Sequence, residues 1–337
     1  MIDLDLFDHH AAEFEDEFAI AIRRAFTEAA DGIDIAALIA AIEAGDEEAV
    51  ATALNIDEGL HSGLSITLNN GLFYALLGAV VISMKRFATS HGSRVNPSGE
   101  AAKLREDIRR NILEPLARRA FEAPMTVFHQ LRTSGMASRV VAEAMVRSIA
   151  LAPDQARSAA HFARAFHEAL NSPDRTVERS TITIPPLTAR RIIDRHSRHL
   201  NAAQRSNLRK TLAGEMTAKS IDQLIRRHDR ALADYRQSVL ARQEAVRAIH
   251  VGEYLAFKQG KANRSLPRDA RRFWLTRGDE RVRHDHRMVT AMNRNGVDVG
   301  EAFKTPLGPV MHPPLEVNCR CRVVVRRPSD PAERERT

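Results

Sequence analysis

Apolar residues at helical spacing constrain this chain more than any other feature of its sequence. In the stretch 187–260, Leu224, Leu232 and Tyr235 fall on one face of a helix, and charged side chains separate them. Residues 9–30 show the same spacing. Aromatic residues are only 5% of the chain, whereas strands are enriched in aromatic and β-branched residues. The sequence therefore predicts a mainly α protein with an elongated multi-helix body.

Turn-forming residues mark the ends of several predicted helices. Helices over 34–43 and 46–55 are expected to meet at Gly45, because glycine suits the end of a helix. Asp46 is the right residue type to cap the second of them. Gly260 is expected to end the long basic helix.

Further elements follow from local patterns. The stretch 176–184, TVERSTITI, alternates β-branched residues and predicts either one short strand or an extended connector. Apolar periodicity predicts additional helices over 64–90, about 100–120, 137–150 and 154–170.

The chain divides into four predicted regions. Residues 91–100 are rich in turn formers and give the first boundary. Residues 266–327 hold the only tryptophan, both cysteines and five of the 14 prolines, with short apolar–polar alternations. We expect an acidic N-terminal helical region over 1–95, a basic helical body over 96–260, a small C-terminal α+β module over 261–327 and a disordered tail over 328–337.

Charge is distributed unevenly along the chain. Residues 1–60 carry 16 acidic and 2 basic side chains, whereas residues 190–250 carry 14 Lys/Arg and 6 Asp/Glu. A basic stretch of this kind indicates a polyanion or an acidic protein surface as partner, or simply a solvated arginine-rich surface. Contacts to DNA phosphates would be salt-sensitive. They would not read base sequence, because no helix-turn-helix or zinc-finger spacing is present.

Neither secretion nor membrane insertion is predicted. The longest apolar run, 71–84, is shorter than the roughly 20 residues that a bilayer requires. The N-terminus, MIDLDLFDHH, is acidic and lacks the basic start of a signal peptide. The two cysteines lie two positions apart, unlike the framework of a disulfide-stapled secreted protein, so a reducing compartment is expected.

An ordered set of uncommon residues occurs near the C-terminus. It comprises a Trp-x-Thr element, an Asp-Glu-x-Val-Arg-x-x-His element and a proline-rich approach to Asn-Cys-Arg-Cys. The residues are Trp274, Thr276, Asp279, Arg283, His286, Pro314, Glu316, Asn318, Cys319, Arg320 and Cys321. This set resembles the phage Mu F-like head morphogenesis family.

A helical segment upstream supports the same resemblance. Arg242 and Glu244, within 241–245, are similar to an Ala-Arg-Thr-Glu segment that precedes the module in that family. The resemblance is clear over about 235–325. The chain departs from the family pattern after His286, where a glycine often follows soon; here the next glycine is Gly296.

The resemblance implies a minor head protein of a tailed phage or prophage. Such a protein is made in the host cytoplasm, associates with the portal during prohead assembly and ends up in the virion, in the head interior or at the portal vertex. Its implied partners are the portal protein, major capsid or scaffolding protein and, non-specifically, packaged DNA. It can aid DNA packaging or ejection. Neither enzymatic activity nor a cofactor is implied.

The motif residues leave a metal site open. Cys319 and Cys321 would project from one face of a strand, and with His286 and His312 they would supply a tetrahedral zinc set. Their Cys-x-Cys spacing is tighter than in most zinc sites, and two small buried thiols that pack a core are the favoured alternative.

The polar motif residues also have two interpretations. Asp279 and Arg283 are four apart and would pair on a helix, while Asp279 or Glu316 could orient His286 as a general base. The favoured alternative is a structural network in which Arg283 or Arg320 bridges a carboxylate.

Two further motif elements are expected to serve the same module. Arg242 or Glu244 is expected to reach it and meet Asp279 or Arg320. Trp274 is expected to anchor the core rather than stack on nucleic acid. Two competing functions remain, a non-specific DNA-binding protein and a metal-dependent enzyme that uses the His/Cys module.

Overall fold

The computed structural model describes residues 4–54, 73–96, 114–173, 175–178, 181–212 and 216–329. The helices are α1 (Leu4–Asp31), α2 (Ile35–Ala44), α3 (Glu47–Ala53), α4 (Phe73–His91), α5 (Glu114–Leu131), α6 (Ser138–Ser148), α7 (Pro153–Leu170), α8 (Pro186–His196), α9 (Ala202–Lys210), α10 (Ala218–Ala262) and α11 (His284–Met292). The strands are β1 (Thr176–Glu178), β2 (Thr181–Ile184), β3 (Met216–Thr217), β4 (Arg271–Leu275) and β5 (Arg322–Arg326). The mainly α class is confirmed.

Local capping chemistry sets the ends of α2 and α3. The Asp34 carboxylate accepts hydrogen bonds from the backbone N–H groups that begin α2. Gly45 ends that helix with a φ of 68°, a conformation that costs glycine little. Asp46 then accepts from the Ala49 N–H at 3.0 Å and begins α3. The predicted pair of short helices joined at Gly45 is confirmed.

Not every predicted element lies within the described residues. Residues 64–72 of the predicted apolar helix and 330–337 of the predicted tail fall outside them. The helix expected over about 100–120 is described only from Glu114, and it continues to Leu131, with Pro124 inside it.

The chain forms two compact units. The first comprises 1–22, 70–109 and 238–337, and the second comprises 23–69 and 110–237. The predicted 261–327 module lies wholly within the first unit.

Buried polar groups tie together the helices of the second unit. The ring of Phe162 on α7 stacks on His228 of α10 at a centroid distance of 4.0 Å, and both side chains are fully buried. Beside them, Arg147 of α6 forms a 2.9 Å ion pair with the buried Asp229. These contacts hold α10 against two earlier helices through pairs of residues that are more than 60 positions apart in the sequence.

A small sheet in the second unit corrects the expectation for 176–184. This stretch is a hairpin of β1 and β2, with Thr176 opposite Thr183, and not one strand. β2 also pairs with β3, which places Ile184 opposite Met216. The prediction was wrong because the chain reverses without a glycine or proline, and because β3 is supplied by a distant segment.

The sequence predicted that Gly260 would end the long helix, and this prediction was wrong. α10 continues to Ala262, and Arg264 then adopts a φ of 59° where the chain turns. The absence of a side chain at Gly260 instead allows Leu266 to pack against the helix, because a Cβ there would lie 2.7 Å from Leu266 Cδ1.

The C-terminal segment forms the predicted small α+β module. β4 and β5 pair antiparallel with Trp274 opposite Val323, and α11 lies between them in sequence. The module core consists of Trp274, Val289, Val297, Phe303, Cys319 and Cys321. Burial of these side chains brings both ends of the motif together.

Within the described ranges, no helix combines the length and the apolarity that a bilayer crossing requires.

Candidate functional site

Three motif side chains meet in the interior of the module. Nδ1 of His286 lies 3.6 Å from Sγ of Cys319 and 3.3 Å from Sγ of Cys321. His286 sits in the first turn of α11, and the two cysteines come directly before β5. All three side chains are buried. Both sulfurs approach Nδ1 of His286, although the two cysteines lie just before β5 and not in a strand, as the sequence-based argument assumed.

A carboxylate holds the other face of the imidazole. Nε2 of His286 lies 3.2 Å from Oε2 of Glu316. Arg283 contacts the same carboxylate at 3.6 Å and donates a hydrogen bond to the Val317 carbonyl at 3.0 Å. Glu316, and not Asp279, is therefore the carboxylate that orients this ring. With Glu316 accepting from Nε2–H, the Nδ1 lone pair faces the sulfurs.

The Cys319 and Cys321 thiols shift each other's pKa in opposite directions. A hydrogen bond from the Cys321 thiol lowers the pKa of Cys319, and the same bond, together with burial, raises the pKa of Cys321. The first thiolate therefore forms more readily than the second.

His312 lies outside this cluster. Its Nδ1 is 2.9 Å from the Pro313 carbonyl, and its ring lies 6.4 Å from that of Tyr254. Burial lowers the pKa of His312 to about 4, so its ring is neutral at pH 7. Among the described residues, the predicted set of four metal ligands is thus a set of three, His286, Cys319 and Cys321.

No family model, curated protein or solved structure matches this chain.

Asp279 pairs with Arg320 rather than with Arg283. Nη1 and Nη2 of Arg320 each lie 2.7 Å from a carboxylate oxygen of Asp279, a bidentate arrangement. Hydrogen bonding by Arg320 lowers the pKa of Asp279. The predicted i,i+4 pair was wrong because residues 279–283 form a turn and α11 begins only at His284. The bidentate bridge from Arg320 to a carboxylate, which the alternative interpretation included, is present, although the pair is only partly buried.

The prediction that Arg242 or Glu244 meets Asp279 or Arg320 was wrong, because both side chains have other partners. Arg242 lies 3.4 Å from Glu15 on α1. Glu244 lies 3.1 Å from Arg247, one turn further along the same helix. Desolvation raises the pKa of the buried Glu244 carboxyl against the opposing effect of Arg247.

Substituting Glu244 by glutamine is expected to raise the melting temperature by a few degrees at pH 8. The folded-state pKa is raised, so the folded chain binds this proton more tightly, and the carboxylate costs stability as the pH rises above its unfolded pKa. The gain should shrink as the pH falls towards that value. Calorimetric melting of the wild type and the E244Q variant between pH 5 and 8 measures it; a pH-independent difference would contradict this account.

The remaining motif residues shape the module. Trp274 is 1% exposed and meets Phe303 edge-on at a centroid distance of 5.3 Å, which confirms it as a core anchor. Thr276 is buried just after β4. Asn318 has a φ of 59°, which asparagine tolerates better than most residues, and it turns the chain into Cys319. Pro314 follows a cis peptide bond in the approach to this turn.

The sequence did not single out two buried residues, Arg272 within the module and His250 on α10 beside it. The guanidinium of Arg272 donates to the carbonyls of Met311 and Glu301, both at 2.6 Å. His250 of α10 lies 3.3 Å from the Cys321 carbonyl through Nε2. The alternation of β4 offered a signal for the first, because Arg272 shares a strand face with the buried Trp274. Nothing local signals the second.

A cleft of about 250 Å³ opens beside the cluster. It is lined by Arg277, Arg281, Val282, Arg283, His286, Asn318, Arg320 and Cys321. Two residues of the cluster therefore border a cavity whose other walls are rich in positive charge, a setting suited to water or an anion.

Proposed function

We propose that this chain is a minor head protein of a tailed phage or prophage that binds the portal during prohead assembly. The observation that best supports this proposal is that the motif residues make structural contacts within the module. Arg320 holds Asp279, Glu316 holds His286, and Trp274 and both cysteines fill the core. A small unit braced in this way is preorganised for docking on a partner.

Burial of the thiols argues for docking over nucleophilic chemistry. Cys319 and Cys321 are 6% and 1% exposed. Nucleophilic cysteines sit in partly exposed positions, whereas buried structural cysteines are poor nucleophiles. The proposal therefore does not include an enzymatic activity.

Exposed methionines give the module a candidate contact surface. Met288 and Met292 are 39% and 43% exposed and lie four residues apart on α11, so they share one face. Exposed apolar pairs of this kind are common at adaptable protein interfaces.

Sedimentation of the chain with its portal protein tests the proposal. The full chain, co-expressed with the portal of the same phage or prophage, is expected to migrate with the portal ring in a gradient. A chain that stays at the top of the gradient in the presence of assembled portal and coat would contradict a portal-binding role.

The double substitution of Met288 and Met292 by glutamate is expected to reduce co-migration at least about tenfold, because charge would be buried against the partner. Leu187→Glu is the matched control, since Leu187 is 68% exposed and lies in the other compact unit. Loss of co-migration with the control alone would assign docking to that unit instead.

Non-specific DNA binding is the second candidate, and a surface of α8 favours it. Arg190, Arg191 and Arg195 on this helix are exposed, and Arg198 lies exposed just beyond it. Clustered guanidinium groups bind phosphates without reading sequence. A protein inside a filled head lies beside DNA, so this activity is compatible with the first proposal.

Replacing Arg190, Arg191 and Arg195 by alanine is expected to weaken binding to duplex DNA. The salt slope of log K should fall by up to about 0.9 for each phosphate that the variant no longer neutralises. Fluorescence anisotropy over a salt series measures both quantities. The control removes Arg209 and Arg226, whose guanidinium groups already pair with Asp194 and Asp222. Equal effects in the two variants would argue against a dedicated surface on α8.

A further inference from the structure

We propose that His286, Cys319 and Cys321 bind a zinc ion through the imidazole Nδ1 and the two thiolates. The proposal stands apart from the head role, because it rests on the positions of these side chains alone.

The distances between the ligand atoms fit a tetrahedral ion. With zinc–sulfur and zinc–nitrogen bonds of about 2.3 and 2.0–2.1 Å, tetrahedral geometry separates sulfur from nitrogen by about 3.5 Å. The observed separations are 3.6 Å for Cys319 and 3.3 Å for Cys321. All three ligand atoms lie within 4.8 Å of one another. An ion can therefore be placed between them with little movement of the backbone.

The imidazole is also oriented as a metal ligand. Glu316 occupies the Nε2 side of His286 at 3.2 Å and leaves Nδ1 to the sulfurs. Metal-bound histidines almost always donate their second ring N–H to a carboxylate, carbonyl or water, which fixes the tautomer and strengthens the ligand. Arg283, at 3.6 Å from the same carboxylate, helps to hold it in place.

Charge and ligand softness select the metal. Two buried thiolates without a cation would carry a large desolvation cost, and one divalent ion neutralises them. Thiolate and imidazole ligands favour zinc over magnesium, calcium or manganese, which prefer oxygen.

The fourth position of this site faces the cleft. His312 lies outside the cluster, so the chain supplies three ligands from the residues that the structure describes. His286 and Cys321 border the cavity that Arg277, Arg281 and Arg320 also line. A water molecule or a small anion from this cleft is expected to complete the tetrahedron.

Metal analysis of the full chain is the first test. Protein purified under reducing conditions and dialysed against metal-free buffer is expected to retain about one zinc per chain. Removal of zinc by a strong chelator should lower the melting temperature, and adding zinc back should restore it. Protein that lacks zinc after purification and whose melting is unchanged by added zinc would overturn the proposal.

Cobalt substitution tests the ligand set without altering the chain. Replacement of zinc by Co²⁺ is expected to give thiolate charge-transfer absorption and the strong visible bands of a tetrahedral ion. Azide should shift the visible bands if the fourth position opens to the cleft. Absent charge-transfer absorption would overturn thiolate ligation, and bands indifferent to azide would overturn the open fourth position.

Conservative variants assign the ligands. Cys319→Ser, Cys321→Ser and His286→Asn are each expected to reduce zinc content at least about tenfold, because each removes one of three ligand atoms. His312→Asn is the matched control, since His312 belongs to the same module and lies outside the cluster; it should retain its zinc. Folded cysteine variants that keep a full complement of zinc would overturn the assignment.

Discussion

Replacing Arg272 by methionine is expected to lower the free energy of unfolding by about 3–5 kcal/mol, because two charge-assisted hydrogen bonds of about 1.5–3 kcal/mol each are removed. The guanidinium donates to the carbonyls of Met311 and Glu301 at 2.6 Å and fastens two loop segments to β4. It also lies over the ring of Tyr254 at 4.7 Å. Methionine matches its length and apolar stem but supplies neither donor.

Desolvation opposes this destabilisation. Burial lowers the pKa of Arg272, which means that the folded chain holds this charge at a cost that methionine would relieve. The destabilisation is expected to prevail because the bonded carbonyls would be left without the guanidinium donors in a water-poor interior.

The neighbouring arginine provides the matched control. Arg271 precedes Arg272 on β4 but points to the other face, where its side chain donates to the Asn295 carbonyl at 3.4 Å. Arg271→Met is expected to change the free energy of unfolding by no more than about 0.5 kcal/mol. Urea denaturation measures the free energy of unfolding of both variants, and equal m-values would show that the two can be compared. Similar decreases in the two would show that net charge, and not the buried hydrogen bonding, matters.

This pair of arginines shows where sequence reasoning stopped. Helical spacing, the Asp46 cap and the Gly45 terminus are local signals, so the helices could be predicted from short windows. The alternation of side chains along β4 could have predicted that Arg272 is buried, unlike Arg271, because Arg272 shares its face of the strand with Trp274. In the sequence, both arginines stand out only as basic neighbours of the tryptophan.

Long-range pairs had no such signal. Asp279 meets Arg320 across 41 residues, and an i,i+4 rule pointed to Arg283 because it assumes a helix. The cluster of His286 with both cysteines was one of two alternatives that the sequence offered, since the cysteine spacing and the motif order are local. Its restriction to three ligands was not predicted, because the position of His312 depends on how α10 packs.

The proposed zinc site, although argued independently of the proposed docking role, would stabilise the module that docks. Two of the six side chains in the hydrophobic cluster around Trp274 are cysteines, and a small core gains stability from a further crosslink. A metal that joins α11 to the segment before β5 would provide one. A braced module can then present exposed side chains such as Met288 to a partner without losing its own order.

Substituting Gly252 by alanine is expected to destabilise the first compact unit by about 1–3 kcal/mol through overpacking. Alanine is normally favoured over glycine inside a helix by about 1 kcal/mol. Here α10 passes so close to α4 that a Cβ on Gly252 would lie 2.6 Å from both the Ser83 Cβ and the Val80 carbonyl oxygen. Backbone cannot rotate away as a flexible side chain would, so the steric cost is expected to exceed the gain in helix propensity.

Substitution of Gly78 on α4 by alanine is the control, because it is expected to stabilise the unit and not to destabilise it. A Cβ there meets nothing within 4 Å, so Gly78→Ala should stabilise the same unit by about 0.5–1 kcal/mol through helix propensity alone. Urea denaturation of both variants tests the sign of each change. If both substitutions stabilise the chain, α4 and α10 lie further apart than the structure places them, whereas opposite signs establish that Gly252 is required for the close approach of these two helices.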